Sequence, residues 1–119
     1  MKSAEPYLHH ILDEVGFLSR VVEVHGIEAI ESDETLERAV VRSLEVIGEA
    51  ARNIPDEYRT KHPYIPWRKI VGLRNRLIHE YFAVDLQILK GILRDELLEL
   101  RNAVVRALDE FSNERESGK

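Results

Sequence analysis

The chain is expected to be all-α, a compact bundle of four or five helices, and three observations lead there. Apolar residues recur at three- and four-residue steps in each long segment, the period of one helical face. Stop and turn residues (Gly26, Pro55, Pro63, Pro66) fall between those segments, not inside them. No strand-like alternation, internal repeat or low-complexity run competes with this pattern. With 119 residues the chain has the size of one domain, and about two-thirds of the unfolded surface can be buried at that length.

Tyr7, Leu8, Ile11, Leu12, Val15, Leu18 and Val22 mark one face of a first helix, which His25-Gly26 ends. Ser32-Asp33 can cap a second, whose stripe runs Leu36, Val40, Ser43, Leu44, Ile47, Ala51 and Ile54 before Pro55 stops it. Residues 56–66 hold Pro63 and Pro66 and cannot form one regular helix. Pro66 suits the first turn of a third helix, predicted to carry Trp67, Ile70, Arg74, Leu77, Ile78 and Tyr81. Asp85 can cap the last helix, whose seam of Leu86, Leu89, Leu93, Leu97, Leu100, Val104, Leu108 and Phe111 continues for about seven turns. Residues 1–119 read as a single domain with a polar, frayed tail over residues 112–119. Val21, Val41, Val46 and Val105 lie off these stripes; a wide core stripe is the more common explanation, and a second apolar face used for self-association is the other.

A hydrophobic content of 44% with 33% charged residues is ordinary for a helix-rich globule. The lack of cysteine excludes disulfides and thiolate sites and fits a reducing cytoplasm. No apolar run approaches the ~18 residues of a membrane span, and the first residues lack a signal-peptide core. A cytoplasmic protein with no membrane partner is therefore expected. The adjacent His9-His10 pair lacks the spacing and carboxylate company of a helical metal site, so neither a metal nor another cofactor is expected.

The formal net charge of −5 argues against a broad basic face for nucleic acid, but the charges are unevenly spread. Between Arg52 and His79 stand Arg52, Arg59, Lys61, Arg68, Lys69, Arg74 and Arg76 against only Asp56 and Glu57. Inside this basic island lies Arg74-Asn75-Arg76-Leu77-Ile78-His79-Glu80-Tyr81. Arginine carries a permanent charge and a donor fork shaped for phosphate, and histidine moves protons near neutral pH. Arg74 and His79 are thus candidate catalytic residues for phosphodiester cleavage, with Arg68, Lys69 and Arg76 as candidate RNA contacts.

On one straight helix, residues five apart are about 140° apart around the axis and about 7.5 Å along it, so Arg74 and His79 do not converge. Either the helix unwinds near residues 80–82, or two copies bring their motifs together in a shared cleft. A symmetric dimer would offer two histidines, one to accept the 2'-OH proton and one to protonate the leaving 5'-oxygen. Arginine would offset charge building at phosphorus.

The segment from Trp67 to Tyr81 resembles the signature of the HepT-like ribonuclease toxins, a branch of the HEPN superfamily marked by arginine, a polar residue and a histidine after four to six intervening residues. Arg74, Asn75 and His79 match that pattern with four intervening, and Gly48-Glu49-Ala50 and Tyr81 match the HepT branch. The resemblance spans nearly the whole chain. It implies a helical homodimer with its cleft at the interface, acting as a metal-independent endoribonuclease and as the toxin of a toxin-antitoxin pair. It also implies an MNT-type nucleotidyltransferase antitoxin that silences the toxin by transferring AMP to the motif tyrosine, here Tyr81. Asn75 and Glu49 are then supporting site residues. A competing expectation is a non-catalytic HEPN module that binds nucleotide or serves as the substrate-binding partner of a nucleotidyltransferase; the intact Arg-polar-His motif favours the enzyme.

Overall fold

In the computed structural model the described residues are 3–79 and 83–117, of which His79, Glu116 and Ser117 are described by backbone alone. The architecture is helical, as the periodicity predicts. The elements are α1 (Glu5–His25), α2 (Ile27–Ser32), α3 (Glu34–Arg52), α4 (Asp56–Lys61), α5 (Trp67–Val71), α6 (Leu73–Leu77), β1 (Ile78–His79), β2 (Ala83–Val84), α7 (Leu86–Gly91), a π-helical turn (Ile92–Glu96) and α8 (Leu97–Ser117).

Helix α1 lies at the centre, packed on one side against α3 and on the other against α8, while α5 and α6 pack on α3. Leu8, Ile11, Val15 and Leu18 of α1 meet Val40, Leu44 and Ile47 of α3 and Leu89 and Val104 of the last helix in one continuous core. Each such side chain stabilises by about 1.5–3 kcal/mol when fully buried. Val21 belongs to this core, and Val41 lies half-buried against it, so neither marks a separate face.

The breaks follow local chemistry. Gly26 takes a positive φ of 82°, which favours glycine, and turns the chain from α1 into the short α2. The acidic stretch after Gly26 carries no helical expectation, yet α2 forms because Ile30 is buried and Lys90 of α7 pairs with Glu28 and Glu31. Asp33 caps α3, its Oδ1 accepting from the Thr35 and Leu36 amides at 2.9 and 3.2 Å. Asp85 does the same for α7 with the Gln87 and Ile88 amides, each at 3.1 Å.

The third helix departs from expectation. It is not continuous to Tyr81 but is jointed at Gly72 into α5 and α6, and it stops at Leu77. Ile78 turns to extended backbone (φ −109°, ψ 121°), and the Leu77 carbonyl accepts from the Asp85 amide at 2.7 Å instead of from a following helical residue. Ile78 then pairs antiparallel with Val84 and His79 with Ala83. This two-residue ladder is the only strand pairing among the described residues.

The last helix runs unbroken from Leu86 to Ser117, about 48 Å at 1.5 Å per residue, and sets the 52 Å long dimension of the molecule. It continues through the polar residues expected to fray, and Arg115 pairs with Glu5 at 2.7 and 2.9 Å. The proline-rich stretch after α4 is tied to α8 by aromatic contacts. His62 stacks on Tyr58 with ring centroids 3.9 Å apart, and its Nε2 lies 3.0 Å from Glu110 Oε2. Trp67 Nε1 donates to the His62 carbonyl at 3.0 Å, and its ring packs against the core. None of the described helices is long and apolar enough to cross a membrane.

Candidate active site

Helix α3 has two unlike sides. Its apolar stripe enters the core, while Arg42, Glu45, Glu49 and Arg52 recur at steps of three, four and three residues and share the other side. Gly48 sits among them, buried. A Cβ at Gly48 would lie 3.1 Å from the Ile70 carbonyl oxygen and 3.8 Å from that of Val71. Glycine therefore lets α3 approach the end of α5 at backbone distance, and this approach brings the charged side of α3 opposite α6.

Between them is an open cleft of about 390 Å³, lined from α3 by Arg42, Glu45, Glu49 and Arg52 and from the facing elements by Val71, Arg74 and Asn75. Three residues singled out by sequence, Arg74, Asn75 and Glu49, are thus gathered in one place. Arg74 forms an ion pair with Glu45, its Nε 3.4 Å from Glu45 Oε2. Glu49 pairs with Arg52 at 3.1 Å.

The separation of about 140° expected on one straight helix does not apply, because the helix ends earlier than the unwinding considered at residues 80–82: α6 stops at Leu77 and His79 is in extended β1. Helical spacing does not govern their relation. The His79 side chain, and Tyr81 as a whole, lie outside the described residues. On the other flank of Glu45, a second open cleft is bounded by Glu34, Glu37 and Arg38 of α3 and by Ile78 and Val84 of the ladder. Glu45 lines both clefts, with Arg74 on one side and the strand that carries His79 on the other.

The basic island is largely paired. Arg52 meets Glu49, Arg59 meets Asp56, Lys61 meets Glu57, Arg74 meets Glu45 and Arg76 meets Glu96. Arg68 and Lys69 are exposed on α5 and make no ion pair among the described residues. Arg76 is a brace: Nη1 and Nη2 donate to Glu96 Oε1 and Oε2 at 3.0 and 2.8 Å, across from α6 to the π turn. This bidentate bond holds the Glu96 carboxyl below the usual carboxylate range and raises the Arg76 guanidinium further. Contact of Arg76 with RNA would first require that bond to open.

Glu45 and Arg42 line the cleft as well, although neither belongs to the Arg-polar-His motif. The signal was present in the spacing of Arg42, Glu45, Glu49 and Arg52 around Gly48, a charged stripe flanking a glycine in a helix. Among the described residues no group of three or more histidine, aspartate or glutamate side chains is placed to hold a metal ion.

Comparison with known proteins agrees with the motif. The family described as "Ribonuclease HepT-like" matches residues 11–107. The chain is 46% identical over 108 residues to "Putative RNase TTE0752" of Caldanaerobacter subterraneus subsp. tengcongensis, covering 91% of this chain and 96% of that protein. It is 34% identical over 100 residues to "Probable ribonuclease HepT" of Thermococcus cleftensis, covering 84% and 91%. It is 32% identical over 103 residues to "Putative RNase MJ1380" of Methanocaldococcus jannaschii, covering 87% and 94%. No solved structure matches it significantly. The matched span takes in α3, the Gly48 contact and the Arg74–His79 motif, and on that ground the chain belongs to the ribonuclease HepT-like family of the HEPN superfamily.

Proposed function

We propose that this protein is a metal-independent endoribonuclease whose active site is built on Arg74 and His79, and that it is the toxin of a toxin-antitoxin pair. The observation that carries the reading is the cleft in which Arg74 and Asn75 face Glu45 and Glu49 across the Gly48 contact. That its relatives are named as RNases supports the substrate class.

In the proposed reaction the 2'-oxygen of RNA attacks the adjacent phosphorus and the bond to the 5'-oxygen breaks, leaving a cyclic phosphate and a 5'-hydroxyl. His79 accepts the 2'-OH proton, and a second His79, from the other subunit of a homodimer, protonates the leaving oxygen. Arg74 offsets the charge that grows on the phosphate oxygens. Asn75 and Glu49 support the site, and Arg68 and Lys69 guide the RNA. The exposed Val24 and Leu98 are apolar surface that self-association would cover. Because so much of the basic island is paired, docking at one phosphodiester fits better than tracking along a strand.

Regulation is proposed to act at Tyr81, two residues past His79. An MNT-type nucleotidyltransferase partner would add AMP to its hydroxyl, and the added phosphodiester charge and nucleoside bulk would together exclude RNA.

The deciding experiment is cleavage of labelled single-stranded RNA of mixed sequence by purified wild type and His79→Ala, with and without EDTA. Loss of a positioned proton carrier lowers the rate by about 10²–10⁴-fold. Equal cleavage by both proteins rejects the site. A wild type that binds a nucleotidyltransferase yet cuts no RNA supports the non-catalytic module instead.

A further inference from the structure

Of the residues in the Arg74 cleft, Glu45 has the placement with most consequence. We infer that Glu45 is the positioning residue of the proposed ribonuclease site, fixing Arg74 from α3 so that its guanidinium meets the scissile phosphate in one orientation. The inference rests on the ribonuclease reading, which finds Glu45 in the cleft but gives it no part in the reaction.

Three features support it. The contact is an ion pair between Arg74 Nε and Glu45 Oε2 at 3.4 Å, which draws the guanidinium toward α3. Glu45 is the less exposed partner, its side chain 26% accessible against 55% for Arg74, so the anchor is held by packing and the arginine is what it steadies. Glu45 also comes from a rigid 19-residue helix, whereas Arg74 sits on the five-residue α6, bounded by the Gly72 joint and the turn at Ile78.

Position adds a further argument. Glu45 lines the Arg74 cleft and also the cleft bordered by Ile78 and Val84, so it stands between the arginine and the strand bearing His79. Its negative charge would repel RNA phosphate if it were displaced from Arg74. Held against the Arg74 guanidinium, that charge is offset by it. A carboxylate acting in this way raises the rate of the chemical step more than it raises affinity, because the phosphate charge it helps Arg74 to meet is greatest in the transition state.

The test compares wild type, Glu45→Gln, Arg74→Lys, Arg74→Ala and the double variant Glu45→Gln/Arg74→Lys on labelled single-stranded RNA. Misplacing a catalytic group by about an ångström lowers rates by about 10²-fold, so Glu45→Gln is expected to lose about 10- to 100-fold in kcat with KM little changed and the melting midpoint unmoved. Lysine lacks the planar fork that Glu45 is inferred to orient, so Glu45→Gln should cost almost nothing further in the Arg74→Lys background. A Glu45→Gln enzyme with wild-type or higher kcat overturns the inference, as does an equal loss in both backgrounds. If wild type fails to cut RNA, or Arg74→Ala cuts as well as wild type, the ribonuclease reading falls and takes the inference with it. A fall for Arg74→Ala with none for Glu45→Gln rejects the inference alone.

Discussion

Arg76 and Glu96 are joined by two parallel hydrogen bonds, Nη1 to Oε1 at 3.0 Å and Nη2 to Oε2 at 2.8 Å, which fasten the short helix α6 to the π turn of the last helix. The two are twenty residues apart in sequence and on different elements, α6 and the π turn. Arg74 lies two residues before Arg76, so the brace also limits how far the proposed catalytic helix can drift.

The pair predicts a pH dependence. Arg76 holds the folded-state pKa of Glu96 below its unfolded value, so the bond stabilises the fold above the ordinary carboxylate range. That contribution is lost as pH falls through the lowered folded-state value. The difference in unfolding free energy between wild type and Glu96→Gln should be ~1 kcal/mol near neutral pH, given that both side chains are about a third exposed, and should vanish in acid. Urea titrations over a pH series measure it; a difference that grows toward acid would contradict the assignment.

Gly48 should tolerate no branched side chain. Its missing Cβ faces the Ile70 carbonyl oxygen at 3.1 Å, and a helical carbonyl cannot swing away as a flexible side chain can. Gly48→Val is expected to destabilise the fold by about 1–3 kcal/mol, despite replacing a poor helix former, because α3 and α5 must part. Chemical denaturation gives the value. RNA cleavage should fall further than stability does, since the same separation widens the Arg74 cleft.

A homodimeric site makes its own demand. Light scattering at micromolar concentration should report a dimer. If each site draws Arg74 from one subunit and His79 from the other, mixing Arg74→Ala and His79→Ala chains should restore part of the activity that each has lost. A monomer that still cleaves RNA would remove the two-histidine scheme.

Regulation at Tyr81 is read by mass. Co-expression with an MNT-type nucleotidyltransferase should add AMP-sized increments to the peptide holding Tyr81. Tyr81→Phe keeps the ring but removes the acceptor hydroxyl, so it should resist silencing when judged against its own baseline activity. Full silencing of Tyr81→Phe without modification would mean that the partner acts by masking.

Much of this was written in the chain itself. Helix identity, the caps at Asp33 and Asp85, the α1 and α3 stripes and the long seam from Leu86 to Phe111 all follow from local periodicity and capping chemistry, which depend on residues a few positions apart. Arg74, Asn75 and His79 were legible for the same reason: their spacing and company are local. What tertiary structure decided is where the third helix stops and what surrounds Arg74. Leu77 ends α6 because its carbonyl is taken by the Asp85 amide and Ile78 finds a strand partner in Val84, and neither partner can be read from the helical period. Arg76 reads as a phosphate contact until Glu96 arrives from the π turn. Glu45 reads as a solvated charge until Gly48 brings α3 against α5. Long-range pairing assigns these charges their roles, and it depends on distances that only the packed fold sets.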